Sequence, residues 1–241
     1  MPYIGSRPPP SALTASDIAD GIVSNAKLAQ DIISAETALG AEPADTDELL
    51  VSDAGTLKRM DYSHIKGGAG LVKLVTTTIS GTSTAAVTFD DTYITATYKN
   101  YLIKGYMIPI SDNRYPKAQF LVSGSAVSTS AYYGYEAAAT ASSAYNSTNG
   151  ATSITLSPVA IAGNASDEGC AWQIWFNNPL STTFTTTLNA QMDGVNSSGD
   201  HMGCNASACA NTLEAHNGIK LYFDSGNLTA DSYLTLYGIT N

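Results

Sequence analysis

Charge is scarce in this chain: Asp, Glu, Lys and Arg make up 13% of its 241 residues, about half of the ~25% usual in soluble globular proteins. Ser, Thr, Ala, Asn and Gly take their place. Small hydroxyl and amide side chains hydrogen-bond the nearby backbone, compete with helix and suit strands and tight turns. Cations are the scarcer sign, 11 against 21 Asp and Glu, for a formal net charge of -10. Lys58, Arg59, Lys99, Lys104, Arg114 and Lys117 are scattered. Nucleic acid is excluded as a partner, because neutralising phosphates takes a basic stripe. The acidic balance serves solubility.

Cysteine is limited to Cys170, Cys204 and Cys209, an odd number that argues against a secreted disulfide framework. No apolar run reaches 18 residues, and no charged segment followed by an apolar one opens the chain. The sequence is therefore read without membrane insertion or signal peptide, as a protein made in a cytosol.

Catalytic motifs are missing too. His64, His201 and His216 show no HExxH spacing, no Gly-x-Ser-x-Gly turn presents a serine, and no Gly-rich loop runs into Lys-Ser or Lys-Thr. His201, Cys204, Cys209 and His216 form the best zinc candidate, but their spacing fits no standard finger, and loop residues are the simpler reading. Asp90-Asp91, Asp167-Glu168 and the pair Asp45 and Asp47 have the chemistry for calcium or glycoside hydrolysis, and read more simply as solvated turns. The chain is expected not to be an enzyme and to need no cofactor or metal.

What is present is organised in four stretches. Residues 1–16 carry Pro2, Pro8, Pro9 and Pro10, which fix φ and lack amide hydrogens, so the stretch is expected either as an extended docking arm, with Tyr3, Ile4 and Gly5 as its contact residues, or as a disordered tail. Residues 17–66 open on a repeat offset by ten residues, Ile18 to Ser24 over Leu28 to Ser34. Each copy is too small to bury its own apolar side chains, and copies around a symmetry axis would supply the missing partners. Ile18, Ile22, Leu28 and Ile32 are the expected interface. An amphipathic helix from Ser16 to about Leu39 is the competing reading. Farther on, Glu48 to Met60 reads as strand, tight turn and strand, with the turn at Asp53-Ala54-Gly55.

Residues 67–70 read as a linker and 71–241 as a β domain. Strands are expected at Val72 to Ile79, Tyr93 to Tyr98, Tyr101 to Ile108, Ala118 to Val122, Ser153 to Ile161, Ala171 to Phe176, Thr182 to Met192, Gly218 to Phe223 and Tyr233 to Ile239. With no convincing long helix among them, the fold class is mainly β, an antiparallel sandwich or jelly roll behind an extended, repeat-bearing N-terminus with some helix possible.

Several of these residues together resemble short tail-fibre and receptor-binding proteins of marine podoviruses and related bacteriophages. They are Tyr3-Ile4-Gly5, the Ile-Ala-Asp-Gly-Ile and Lys-Leu-Ala-Gln-Asp-Ile repeats, the Leu-Leu-Val-Ser-Asp-Ala-Gly-Thr-Leu-Lys-Arg hairpin, and Leu236-Tyr237-Gly238-Ile239 near the other end. The resemblance implies a homotrimer in the virion tail, docked on other tail proteins through the arm and meeting a host cell-surface glycan or protein with its distal half. A head fibre or capsid decoration protein is the alternative, and a polysaccharide hydrolase is less favoured.

Binding chemistry concentrates at Tyr132, Tyr133, Tyr135 and Tyr145, set among Ser, Thr, Ala and Asn. Tyr offers stiff amphipathic contact area and the small polar residues offer adaptable hydrogen bonds. Receptor contact through loops within residues 131–166 is one expectation, and packing on the core or a neighbouring subunit the other. Trp172 and Trp175 stand at odd spacing on a strand-like run, so they are expected on opposite faces.

Overall fold

A computed structural model describes residues 14–19, 37–41, 43–65, 70–128, 132–139, 144–165 and 167–240. The chain divides into two compact units, Met1–Lys66 and Gly67–Asn241. Tyr3, Ile4, Gly5, Ile22, Leu28 and Ile32 lie outside the described residues. So does nearly all of the stretch weighed as repeat or helix. Ile18 is described, and its side chain is exposed.

The first unit contains an antiparallel hairpin, β1 (Glu48–Asp53) and β2 (Thr56–Asp61), joined by Ala54 and Gly55. Both joining residues have positive φ, 49° and 86°, which matches the twist of a two-residue hairpin turn. Gly55 adopts that geometry freely, whereas Ala54 does so against its Cβ. A single 3-10 turn, Tyr62–His64, follows.

Among its described residues the second unit has strands and no helix. Its strands are β3 (Leu71–Thr78), β4 (Ala86–Phe89), β5 (Asn100–Met107), β6 (Pro116–Val122), β7 (Ser125–Ala126), β8 (Tyr132–Ala139), β9 (Ala144–Ala151) and β10 (Ile154–Thr155). They continue with β11 (Gly169–Asn177), β12 (Thr187–Val195), β13 (His201–Ala210), β14 (Gly218–Phe223) and β15 (Tyr233–Ile239). Every pairing is antiparallel. One sheet runs β3-β15-β5-β11-β12-β13-β8-β9; the other runs β10-β6-β14-β4, with β7 added on β6.

Period-2 alternation sends one face of each sheet into a shared core. Phe89, Phe120, Ile219, Leu221 and Phe223 come from the smaller sheet; Ile103, Trp172, Ile174, Phe176, Leu188, Met192 and Leu236 come from the larger. Trp172 meets Phe223 edge to face, with centroids 5.8 Å apart, and Phe120 lies 5.2 Å from Phe176. This mainly β architecture of two antiparallel sheets over one core is consistent with a β-sandwich. Among the described residues no helix is long and apolar enough to cross a membrane.

Three expected strands are corrected. Tyr93 to Tyr98 forms turns, because the Asp90 carbonyl takes the N–H groups of Tyr93 and Ile94 while the Asp90 carboxylate takes that of Thr92. Ser153 to Ile161 shrinks to β10, as Pro158 cannot donate to a ladder. Thr182 to Met192 starts only at Thr187, since the Ser181 hydroxyl accepts the N–H groups of Thr183 and Phe184 and holds a turn. Strands β4, β7, β9 and β13 lie outside the expected runs, and β8 carries tyrosines weighed as loop or strand residues.

Candidate functional site

The zinc candidate is taken apart by the pleat of β13. Cys204 points into the core, His201 and Cys209 point to the opposite face, and His216 is buried beyond the strand. Among the described residues no group of three or more His, Cys, Asp or Glu side chains could hold a metal ion. Burial pushes the Cys204 thiol up to about 12 and that of Cys170 well above its ordinary range, so neither is a ready thiolate.

One member of each acidic pair holds a turn. Besides Asp90, Glu168 accepts the Ala165 N–H at 2.9 Å and Asp47 accepts that of Ala44 at 2.9 Å. Each of these carboxylates thereby holds a loop amide.

The tyrosines divide between the two faces of β8. Tyr132 is a correction to the receptor-contact set: only 1% of its surface is exposed. Its hydroxyl accepts the Phe120 N–H and donates to the Val127 carbonyl, 2.8 Å each. Tyr133 and Tyr135 project from the other face, and Tyr145 joins them from β9. The rings of Tyr135 and Tyr145 stack with centroids 6.5 Å apart. These residues sit on a paired two-strand ribbon, β8 with β9, rather than on the loops expected for residues 131–166.

Trp172 and Trp175 do face opposite ways. Trp172 is buried and Trp175 is 39% exposed. Register carries Trp175 across to Asn189 on β12, Ser207 on β13 and Tyr135 on β8. The next outward row holds Gln173, Gln191, Asn205 and Ala137. All of these but Ala137 line a shallow depression of about 350 Å³. A second depression, about 490 Å³, continues it past Gln173 and Gln191 to Lys104, Asp193, Tyr233, Thr235 and Tyr237. The outer face of the larger sheet is thus an aromatic and amide surface assembled from six strands.

Sequence reading missed the amides of this face. The available signal was the alternation within Thr187 to Val195, where Asn189, Gln191 and Asp193 share one side of the strand.

Two further polar side chains are buried. Glu136 lies on the core side of β8, accepts the Thr148 hydroxyl at 3.4 Å through Oε1, and leaves Oε2 without a hydrogen bond. Burial raises its carboxyl above the usual range, while Thr148 and the Lys117 charge pull it back. His216 shares a 2.8 Å hydrogen bond with Thr186 through Nδ1 and has no hydrogen bond at Nε2. Burial lowers its pKa, partly offset by Glu214.

No protein-family model matches the chain, and no curated protein and no solved structure matches it.

Proposed function

We propose that the chain is a structural subunit of a bacteriophage virion: a homotrimeric tail fibre with an N-terminal docking arm and a distal β-sandwich head that binds a host-surface receptor, most simply a glycan. The observation that carries this reading is the set of exposed aromatic side chains, Tyr133, Tyr135, Tyr145 and Trp175, on one face of a rigid sheet. Large exposed aromatics gathered on one side of a soluble domain mark a contact surface, and a sheet holds them in fixed geometry. The sequence order of proline-rich arm, short repeat and β-rich half supports a peripheral, assembled subunit.

The test uses the particle. An antibody against residues 71–241 should label tail structures in electron micrographs and block adsorption to host cells. Labelling confined to the capsid would replace the tail fibre with a head fibre or decoration protein. Native mass spectrometry of the purified chain should report a trimer, and a monomer at micromolar concentration would remove the assembly.

A further inference from the structure

The depression between Trp175 and Tyr135 has a specific chemistry. Trp175, Asn189, Ser207 and Tyr135 stand side by side in one row across β11, β12, β13 and β8. Three strand spacings of roughly 4.8 Å place the two aromatic positions about 14 Å apart. The neighbouring row offers Gln173, Gln191 and Asn205. Asn189 donates to Ser207 at 3.0 Å, which orients its amide. No charged side chain lines this depression, and the Lys104 and Asp193 charges of the adjoining one cancel.

We propose that this shelf is a binding site for a neutral saccharide, lying along the row from Trp175 to Tyr135. The proposal builds on the receptor-binding reading above, adding that the glycan is neutral and where it lies. A pyranose ring has an apolar C–H face and a rim of hydroxyls. An aromatic ring covers the first, and amides, which both donate and accept, satisfy the second. The absence of charge from the shelf disfavours acidic polysaccharides and phosphates, which recruit Arg or Lys. A protein partner is disfavoured by the amide row, since the cores of protein interfaces favour aromatics, Met and Arg.

The test applies the purified full chain to an array of neutral oligosaccharides, namely hexamers of glucose, mannose, galactose and N-acetylglucosamine in their common linkages. At least one should bind and shift the tryptophan emission, which reports on exposed Trp175 because Trp172 is buried. Trp175→Ala should weaken binding about thirtyfold, the usual consequence of removing an aromatic anchor. Gln191→Ala and Asn205→Ala should weaken it less while leaving the mass in solution unchanged. The proposal is overturned if no neutral oligosaccharide binds, if Trp175→Ala binds as well as the parent, or if Trp175→Ala changes the assembly state, which would make Trp175 a subunit contact. Adsorption of the labelled chain to host cells separates the two readings. Adsorption without saccharide binding removes the saccharide and keeps the receptor role, whereas saccharide binding without adsorption does the reverse.

Discussion

The Tyr132 hydroxyl accepts the Phe120 backbone N–H at 2.8 Å while the two rings meet edge to face, centroids 5.4 Å apart. This joins the two sheets at a gap in the ladder of β6, between its pairing with β10 and its pairing with β7. Tyr132→Phe keeps the ring and removes the hydroxyl, leaving the buried Phe120 N–H and the part-buried Val127 carbonyl without that partner. A loss of about 1–3 kcal/mol is expected, seen as a melting midpoint lower by several degrees. An unchanged midpoint would show that water or a backbone shift satisfies both groups.

Two glycines should respond oppositely to alanine. A Cβ on Gly105 would collide with the Tyr233 carbonyl oxygen on the neighbouring strand, and that backbone moves only by breaking the β5–β15 ladder. Gly105→Ala should cost about 1–3 kcal/mol or more. A Cβ on Gly134 meets only ordinary contacts at 3.6 Å and beyond, so Gly134→Ala should be neutral or gain up to about 1 kcal/mol. Urea unfolding of both variants checks the pair.

Thiol reactivity should grade with burial. Cys209 is partly exposed, while Cys170 and Cys204 are buried with raised pKa values. A thiol reagent added to the folded chain at neutral pH should modify Cys209 first, and the other two only after denaturation. Rapid native labelling of Cys204 would mean that the core opens locally.

Glu136 and His216 should tilt the pH dependence of stability in opposite senses. The folded Glu136 carboxyl lies above its ordinary 4.5, so the fold holds its proton more tightly than the unfolded chain. Its contribution therefore falls as pH rises from 4.5 through the folded value. The folded His216 imidazole lies below 6.5, so its contribution is lost as pH falls below 6.5. Glu136→Gln should gain on the parent as pH rises, and His216→Asn should lose the acid-side decline. Urea midpoints across roughly pH 4 to 8 give the two difference curves, whose slopes run at most about 1.4 kcal/mol per pH unit for one proton. Flat curves would mean that neither group is perturbed.

Much of the larger sheet was legible because its strands carry strong apolar or aromatic alternation. Tyr101 to Ile108 overlaps β5 but for one residue at each end, Ala171 to Phe176 lies within β11, and Tyr233 to Ile239 is β15. Strand β13 was not, because its core face is Met202, Cys204, Ala206, Ala208 and Ala210, mostly small side chains that contrast weakly with the Asn205 and Ser207 between them. The opposite facing of Trp172 and Trp175 followed from period 2 alone. The shelf around Trp175 could not be read locally. Its residues come from strands whose order, β11-β12-β13-β8, takes the chain back from residue 201 to residue 139.

Strands β3 and β15 run side by side although they bracket the whole second unit, and Thr240 and Gly70 are hydrogen-bonded where the ribbon ends. Tension on the chain at Gly70 therefore enters an edge strand at its first residue. Pulled along its own axis, β3 loads its cross-strand hydrogen bonds together in shear, since these lie perpendicular to the strand. Pulled sideways, away from Thr240, it unzips them one at a time from Leu71 inward. The direction of an applied force, rather than its size alone, decides whether this unit holds or peels open.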